Sequence, residues 1–202
     1  MTPTPLILAS SSPRRQQLLS ELGLRFDVIK PDLDESIHPG EDPITYAQRL
    51  SQEKAAIVAR QVTGEQAILA ADTVVILAAD TIGVSGSGAL LAKPANSDDA
   101  RRMLRSLRNR DHQVCTAFTL QRTGTDPRTH TEAVRTIVTM RNYSDDEIEA
   151  YIATGDPFDK AGSYAIQHPT FAPVAAIQVS YSNVVGLPVD EVKAALMAFG
   201  LL

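Results

Sequence analysis

The chain has 202 residues, of which 44% are hydrophobic, and a formal net charge of −5. This length suits one sizeable domain or two small lobes that share a core. The negative charge argues against binding to nucleic acid polymers or to an anionic membrane, and no segment is long enough to span one. The lone cysteine, Cys115, excludes an internal disulfide and predicts a buried thiol in a reducing, cytoplasmic protein.

The start of the chain predicts a strand, a turn and a helix. Residues 6–9 are apolar and predict a buried strand, and Ser12-Pro13 predicts an N-cap followed by the first helical residue. Arg14 and Arg15 fall in the first turn of this helix, where the helix dipole disfavours cations. Because free backbone N–H groups at a helix start attract anions, this arrangement indicates an anion site. The alternative is a solvated first turn with two surface arginines.

The rest of the chain first alternates strands with helices and then becomes richer in strands. In chain order, the predicted elements are a helix over 13–22, a strand over 26–29, a helix over 43–62, a strand over 67–77, a helix capped by Ser97, strands over 113–120 and 132–140, a helix with the capping box Ser144 and Glu147, strands over 163–167 and 175–181, and a helix from Pro188 towards Phe199. The Ser/Gly-rich connection over 78–91 is predicted to be flexible. These patterns predict an α/β chain with a mixed sheet.

Two charged residues lie where the pattern predicts burial. Asp72 stands in the middle of the strand predicted over 67–77, where an unpaired carboxylate would be costly or forced neutral. We therefore expect it at a cleft, beside a cation or paired with a base, or else as a structural acceptor for neighbouring N–H groups. Lys54 lies among the apolar positions of the helix predicted over 43–62. Its ammonium either reaches the cleft that contains Asp72 or passes the edge of the sheet to solvent.

A third charged group follows the helix that stops near Gly155. Asp159 and Lys160 come just before the strand predicted over 163–167, and form either an ordinary charged turn or a ligand loop at a strand end. The candidate cations are Arg14, Arg15, Lys54, Lys93 and Lys160, and the candidate carboxylates are Glu35, Asp72 and Asp159. Cations neutralise phosphate oxygens while carboxylates hold a hard metal ion and orient water, so this mixture suits a polyphosphate bound with Mg²⁺.

Seven short motifs occur along the chain in a specific order. They are Ser10 to Arg15, Asp34-Glu35, Glu53-Lys54-Ala55, Ala71-Asp72-Thr73, Lys93-Pro94, Asp159 through Gln167, and Val185-Gly186-Leu187-Pro188. Each motif is weak by itself, but in this order they resemble the Maf family over essentially the whole chain.

The resemblance implies both a fold and an activity. The implied fold is a single Maf-like domain over residues 1–202, with a long, curved mixed β-sheet flanked by helices, two lobes and a central cleft, similar to the inosine triphosphate pyrophosphatases. The implied activity is that of a cytoplasmic, frequently homodimeric pyrophosphatase, which cleaves a nucleoside triphosphate to a nucleoside monophosphate and pyrophosphate. It uses a divalent cation, Mg²⁺ or alternatively Mn²⁺ or Co²⁺.

The resemblance also implies roles for individual residues. Asp72 would accept the proton of the attacking water, Glu35 and Asp72 would hold the cation, and Lys54 would act beside them. The implied substrate-binding residues are Ser10, Arg14, Arg15, Thr73, Lys93, Asp159, Lys160 and Gln167, with Arg15, Lys54, Lys93 and Lys160 on the triphosphate.

The implied base preference rests on three of these residues. Arg14, Thr73 and Gln167 resemble the specificity positions of the branch that prefers dTTP and UTP, and a glutamine offers both a donor and an acceptor to a pyrimidine edge. The chain departs from the pattern at Ala92, where the family usually has glycine, and over 168–183, which lacks the glycine-rich sequence of that branch. The alternatives are 7-methyl-GTP or modified nucleotides as substrates, or a nucleotide-binding regulator of cell division without catalysis.

Overall fold

The computed structural model describes residues 4–77 and 89–202. In chain order the helices and strands are β1 (Leu6–Leu8), α1 (Pro13–Ser20), β2 (Phe26–Val28), α2 (Pro43–Ala59), β3 (Ala67–Leu77), β4 (Ala89–Leu91), α3 (Ser97–Leu107), β5 (Asp111–Arg122), β6 (Arg128–Met140), α4 (Asp145–Ala153), β7 (Val174–Gln178), α5 (Tyr181–Val185) and α6 (Val189–Ala198). Two short 3₁₀ turns, Asp156–Asp159 and Ala161–Ser163, follow α4. None of the helices within the described ranges is long and apolar enough to cross a membrane.

The strands form one mixed sheet with the order β2-β1-β3-β5-β6-β7, and β4 pairs with β3 outside this path. Strand β1 runs parallel to β2 and β3, whereas the β3–β4 and β6–β7 pairs are antiparallel. The predicted mixed sheet of an α/β protein is therefore confirmed. The chain divides into two compact units.

The first unit combines the described residues up to Asp72 with Thr116–Val134 and Gly186–Leu202. Its helix α2 begins at the N-cap Asp42, and its buried side chains follow the helical spacing of Pro43, Ala47, Leu50, Lys54 and Val58. Part of the core of this unit consists of Ile7, Ala9, Ala55, Val58, Ile68 and Ala70. The apolar face of α2 thus places Lys54 on the buried side of the helix, as its spacing predicts.

The second unit combines Thr73–Cys115 with Arg135–Val185, within the described ranges. Its core gathers Leu104 of α3, Tyr151 of α4 and Phe171 among other buried residues. The rings of Tyr151 and Phe171 stack with their centroids 4.3 Å apart. The capping box of Ser144 and Glu147 starts α4 as predicted. Cys115 is a buried free thiol, also as predicted.

The strand predicted over 163–167 is wrong. Gly162 and Ser163 have φ values of +70° and +63°, which break an extended backbone, and the segment forms a 3₁₀ turn followed by an irregular stretch. Lys160 and Asp159 therefore lie in tight turns and not at the start of a strand. The N-cap of α3 is Asn96, whose side chain accepts from Asp99 N, one residue earlier than predicted. Most of the connection predicted to be flexible, residues 78–88, lies outside the described residues.

The second unit buries a histidine in its core. His112 on β5 is 2% exposed, and its Nε2 lies 2.7 Å from the hydroxyl oxygen of Tyr164. Among the described residues, its Nδ1 has no hydrogen-bond partner. Burial lowers the pKa of His112 from 6.5 to about 4, although the nearby Asp111 opposes the shift. The ring is therefore neutral in the folded protein at neutral pH.

We predict that His112 makes folding sensitive to mild acid. Between pH 6.5 and 4 the unfolded chain binds a proton at this ring and the folded chain does not, so stability falls as the pH falls. Replacing His112 by Gln removes this titration, and the free energy of unfolding should then fall less steeply between pH 7 and pH 4.5 than in the wild type. Urea denaturation at both pH values measures the difference. An equal fall in the free energy of unfolding between pH 7 and pH 4.5 in the two proteins would contradict the prediction.

Candidate active site

A buried lysine holds two carboxylates in the first unit. The Nζ of Lys54 lies 2.6 Å from Asp72 Oδ1 and 2.6 Å from Glu35 Oε1. Lys54 and Asp72 are 7% and 8% exposed, while the Glu35 side chain is 46% exposed. Because each buried charge would be costly alone, the ion pair explains how Lys54 and Asp72 are tolerated in an apolar helix face and an apolar strand.

Two side chains of α2 fix the loop that carries Glu35. The Tyr46 hydroxyl donates to the Glu35 carbonyl oxygen at 2.7 Å, and Arg49 Nη2 donates to the Ser36 carbonyl oxygen at 3.0 Å. Arg49 also makes a bidentate pair with Glu41 at 2.6 and 2.8 Å, which lowers the pKa of Glu41 to about 2. The loop is thus held at consecutive backbone carbonyls, the first of which belongs to the residue that contacts Lys54.

The helix start at α1 is built as predicted, with Ser12 as the N-cap and Pro13 as the first helical residue. Arg15 Nε donates to the Gly186 carbonyl oxygen at 2.8 Å, and its Nη1 lies 3.5 Å from Ser10 Oγ. Burial lowers the pKa of Arg15, Asp72 and Glu35 oppose this shift, and Arg14 adds to it. Arg15 therefore lies in the electrostatic field of the carboxylates that Lys54 holds.

Glu35 and Asp72 are the side chains of the first unit that could hold a divalent cation. Glu35 and Asp72 converge on one cationic atom, the Lys54 Nζ, and carboxylate oxygens are the ligands that Mg²⁺ prefers. Over residues 4–77 and 89–202, no group of three or more His, Cys, Asp and Glu side chains is placed to hold a metal. Two carboxylates suffice where substrate phosphates and water complete the coordination, which is the usual arrangement for Mg²⁺.

In the second unit, three segments meet at Gly162. Its N–H donates to the Ala92 carbonyl oxygen at 3.1 Å, next to Lys93. A Cβ at Gly162 would lie 3.1 Å from Cγ1 of Val75, two residues after Thr73 on β3. The absence of a side chain at Gly162 therefore lets the turn that follows Lys160 approach both β3 and the segment before Lys93.

The turn itself is held by successive contacts within the second unit. Lys160 is 8% exposed and donates to Asp156 and Asp159. Ser163 Oγ lies 3.1 Å from Met103 Sδ, and the Ala165 N–H donates to the Tyr151 hydroxyl at 3.0 Å. With the contact between Tyr164 and His112, the segment is anchored along most of its length.

The chain is similar to known proteins over nearly its whole length. The family model described as Maf-like protein matches residues 5–199. The chain belongs to the Maf family. A dTTP/UTP pyrophosphatase of Chromobacterium violaceum is 43% identical over 201 residues, covering 98% of this chain and 96% of the relative. A dTTP/UTP pyrophosphatase of Geotalea uraniireducens is 45% identical over 197 residues, with coverage of 98% and 96%.

A solved structure shares the fold of this Maf family member. The Staphylococcus aureus Ham1 protein matches with a TM-score of 0.51 and 14% identity, over 97% of this chain and all (100%) of that one. At this identity the likeness concerns the fold alone.

The residues singled out by the Maf motifs fall into two groups. The first unit contains Ser10, Arg14, Arg15, Glu35, Lys54 and Asp72, and the second contains Thr73, Lys93, Asp159, Lys160 and Gln167. Lys93 and Gln167 are exposed and Thr73 is half-buried. Within the first unit the structure connects Ser10 to Arg15, and it connects Lys54 to both Glu35 and Asp72. Within the second unit it joins Asp159 to Lys160.

Sequence reasoning missed the residues that hold these side chains. Tyr46 and Arg49 fix the Glu35 loop, and Tyr151, Asp156 and His112 fix the turn around Lys160. One signal was available: Arg49 and Glu53 are four residues apart on a helix, the spacing of an ion pair, and the pair is present at 3.1 Å. The contact of His112 with Tyr164 joins residues 52 apart in the chain, and no local pattern marks it.

We predict that Gly162→Ala destabilises the second unit. Alanine at φ +70° is strained, and its Cβ would also press on Val75, so the free energy of unfolding should fall by roughly 1–3 kcal/mol. Gly155 is the matched control, because it has φ +78° and no atom of the described residues lies within 4 Å of the position that a Cβ would take. Gly155→Ala should therefore cost less. Urea denaturation of both variants gives the comparison, and equal losses would remove the role of the Val75 contact.

Proposed function

We propose that the chain is a metal-dependent pyrophosphatase that converts dTTP and UTP to the nucleoside monophosphate and pyrophosphate. The observation that carries this proposal is the buried Lys54 ammonium in contact with both Asp72 and Glu35. The names of the relatives, dTTP/UTP pyrophosphatases at more than 40% identity over nearly the whole chain, support the substrate class. Its proposed setting is the cytoplasm, as a homodimer.

In the proposed reaction, Asp72 acts as the general base. The oxygen of a water molecule bonds to the α-phosphorus, the bond from that phosphorus to the bridging oxygen breaks, and pyrophosphate leaves with the electron pair. Asp72 takes the water proton on a carboxylate oxygen. Lys54 holds Asp72 in place, because their 2.6 Å contact fixes Asp72 Oδ1.

The remaining roles concern charge and recognition. Glu35 and Asp72 would hold Mg²⁺, with Mn²⁺ or Co²⁺ as alternatives, and the ion would neutralise phosphate charge when bound. Arg15, Lys54, Lys93 and Lys160 would neutralise the triphosphate, and Ser10 and Asp159 would complete the set of residues that bind the substrate. Arg14, Thr73 and Gln167 discriminate the base, and the exposed Gln167 amide offers a donor and an acceptor to a pyrimidine edge.

The products decide the reaction class. With dTTP or UTP and Mg²⁺, the purified chain should release one monophosphate and one pyrophosphate per turnover, detected by chromatography and a pyrophosphate-specific assay. In water enriched in ¹⁸O, the label should enter the monophosphate, because the α-phosphorus is attacked. Release of orthophosphate and a diphosphate would overturn the proposal.

The base preference is tested with a panel of substrates that adds CTP, 7-methyl-GTP and modified pyrimidine triphosphates. We expect dTTP and UTP to be preferred, and a clear preference for 7-methyl-GTP would contradict this expectation.

We predict that Asp72→Asn removes the general base while leaving the size of the side chain unchanged. The amide keeps the side-chain volume but accepts no proton from water at neutral pH, so kcat should fall roughly 10²–10⁴-fold. Asp27→Asn on β2 is the matched control, since Asp27 is exposed and lies on an edge strand of the sheet. Circular dichroism checks that both variants are folded. Near-normal turnover in folded Asp72→Asn would exclude Asp72 as the base.

A further inference from the structure

The ammonium of Lys160 is fully occupied within its own turn. It donates to the Asp156 carbonyl oxygen at 2.7 Å, to Asp156 Oδ1 at 2.8 Å and to Asp159 Oδ1 at 2.6 Å. An ammonium group has three protons, so these three bonds use all of them. Two of the three go to Asp156, which the family motifs did not single out.

Asp156 is itself fixed by a buried tyrosine. Its second carboxylate oxygen, Oδ2, accepts from the Tyr151 hydroxyl at 2.6 Å, and this hydroxyl accepts from the Ala165 N–H at 3.0 Å. Tyr151 is 1% exposed, and its ring contacts those of Phe171 and His168. The hydroxyl therefore has one position, from which it ties Asp156 at one end of the segment to Ala165 at the other.

The charges of this network favour the ionised form of Asp156. Partial burial opposes ionisation, but the hydrogen bonds from Lys160 and Tyr151 outweigh it and lower the pKa of Asp156. Burial and the neighbouring carboxylate raise the pKa of Tyr151, so its hydroxyl keeps the proton that it donates. The donor and acceptor directions of the network are thus fixed at neutral pH.

The two acidic partners of Lys160 differ in exposure. The Asp156 side chain is 31% exposed and doubly anchored, whereas the Asp159 side chain is 68% exposed. A phosphate oxygen can replace the exposed Asp159 on the ammonium, while the two bonds to Asp156 remain and keep the direction of the third proton.

We propose that Asp156, held by Tyr151, is a positioning residue that sets the orientation of the Lys160 ammonium for the reaction. The inference rests on the proposed function for its kinetic consequence but not for its structural one. Asp156 acts through Lys160 and does not contact the substrate.

The structural consequence is tested without substrate. In ¹⁵N-labelled protein, the ammonium protons of Lys160 should exchange slowly enough for NMR detection, because the group is buried and triply bonded. In Asp156→Asn and in Tyr151→Phe, exchange of this signal and of the Ala165 amide should be faster than in the wild type. Tyr143→Phe is the matched control, because its hydroxyl is also buried but donates to the Leu104 carbonyl oxygen and to no residue of the turn. Unchanged exchange at Lys160 in both test variants would overturn the proposal.

The kinetic consequence is tested by a double-mutant cycle with dTTP and Mg²⁺. Asp156→Asn should lower kcat/KM roughly 10- to 100-fold, as expected when a binding group is misplaced. In the Lys160→Met background the same change should lower it by less than about threefold, because the group through which Asp156 acts is gone. Tyr143→Phe should stay within about twofold of the wild type.

The outcomes separate the two proposals. A purely structural role for Asp156 lowers kcat/KM equally in both backgrounds, and this result overturns the positioning role. If Asp156→Asn fails to fold, Tyr151→Phe takes its place in the cycle, since it removes only one hydroxyl. Should the wild type release no pyrophosphate from any triphosphate, the proposed function fails, and the exchange of the Lys160 ammonium decides the positioning role by itself.

Discussion

The central constraint on this molecule is the burial of the Lys54 ammonium. A charge 7% exposed in an apolar setting requires partners, and Asp72 and Glu35 supply them at 2.6 Å each. This demand fixes how α2 lies against β3, because the pair joins the two elements. It also fixes the loop before α2, where Tyr46 and Arg49 hold the backbone that carries Glu35. The candidate base is thus positioned by the same contacts that stabilise the first unit.

The second unit also contains a buried lysine that pairs with two carboxylates. Lys160 is 8% exposed and pairs with Asp156 and Asp159, one of which is anchored and the other exposed. In the first unit the side chain of Asp72 is 12% exposed and that of Glu35 is 46% exposed. Each lysine therefore has one carboxylate partner that is clearly less exposed than the other. Such an arrangement keeps a cation in place while leaving an exchangeable partner, which is what a site for a charged substrate needs.

The close approach of one turn to β3 requires glycine at position 162. The turn after Lys160 runs close to β3, and a side chain at Gly162 would contact Val75 at 3.1 Å. The left-handed backbone at Gly162 and Ser163 also ends the extended path that residues 163–167 predicted. Periodicity favoured a strand there, but the contacts of Lys160, Ser163 and Ala165 hold the segment as a turn. Tertiary contacts have overridden a short local preference.

The sequence by itself determined the α/β class, the long strand over 67–77 and the helix that places Lys54 on its buried face, because these follow from hydrophobic spacing and caps. The ordered motifs also indicated the family. Only the tertiary structure decided which charged and polar groups contact each other. Lys54 pairs with Asp72 across 18 residues, and Arg15 with the Gly186 carbonyl across 171. Such contacts depend on the order of the strands and on how the chain returns to the sheet. The hydrophobic spacing along the sequence is local and does not specify either.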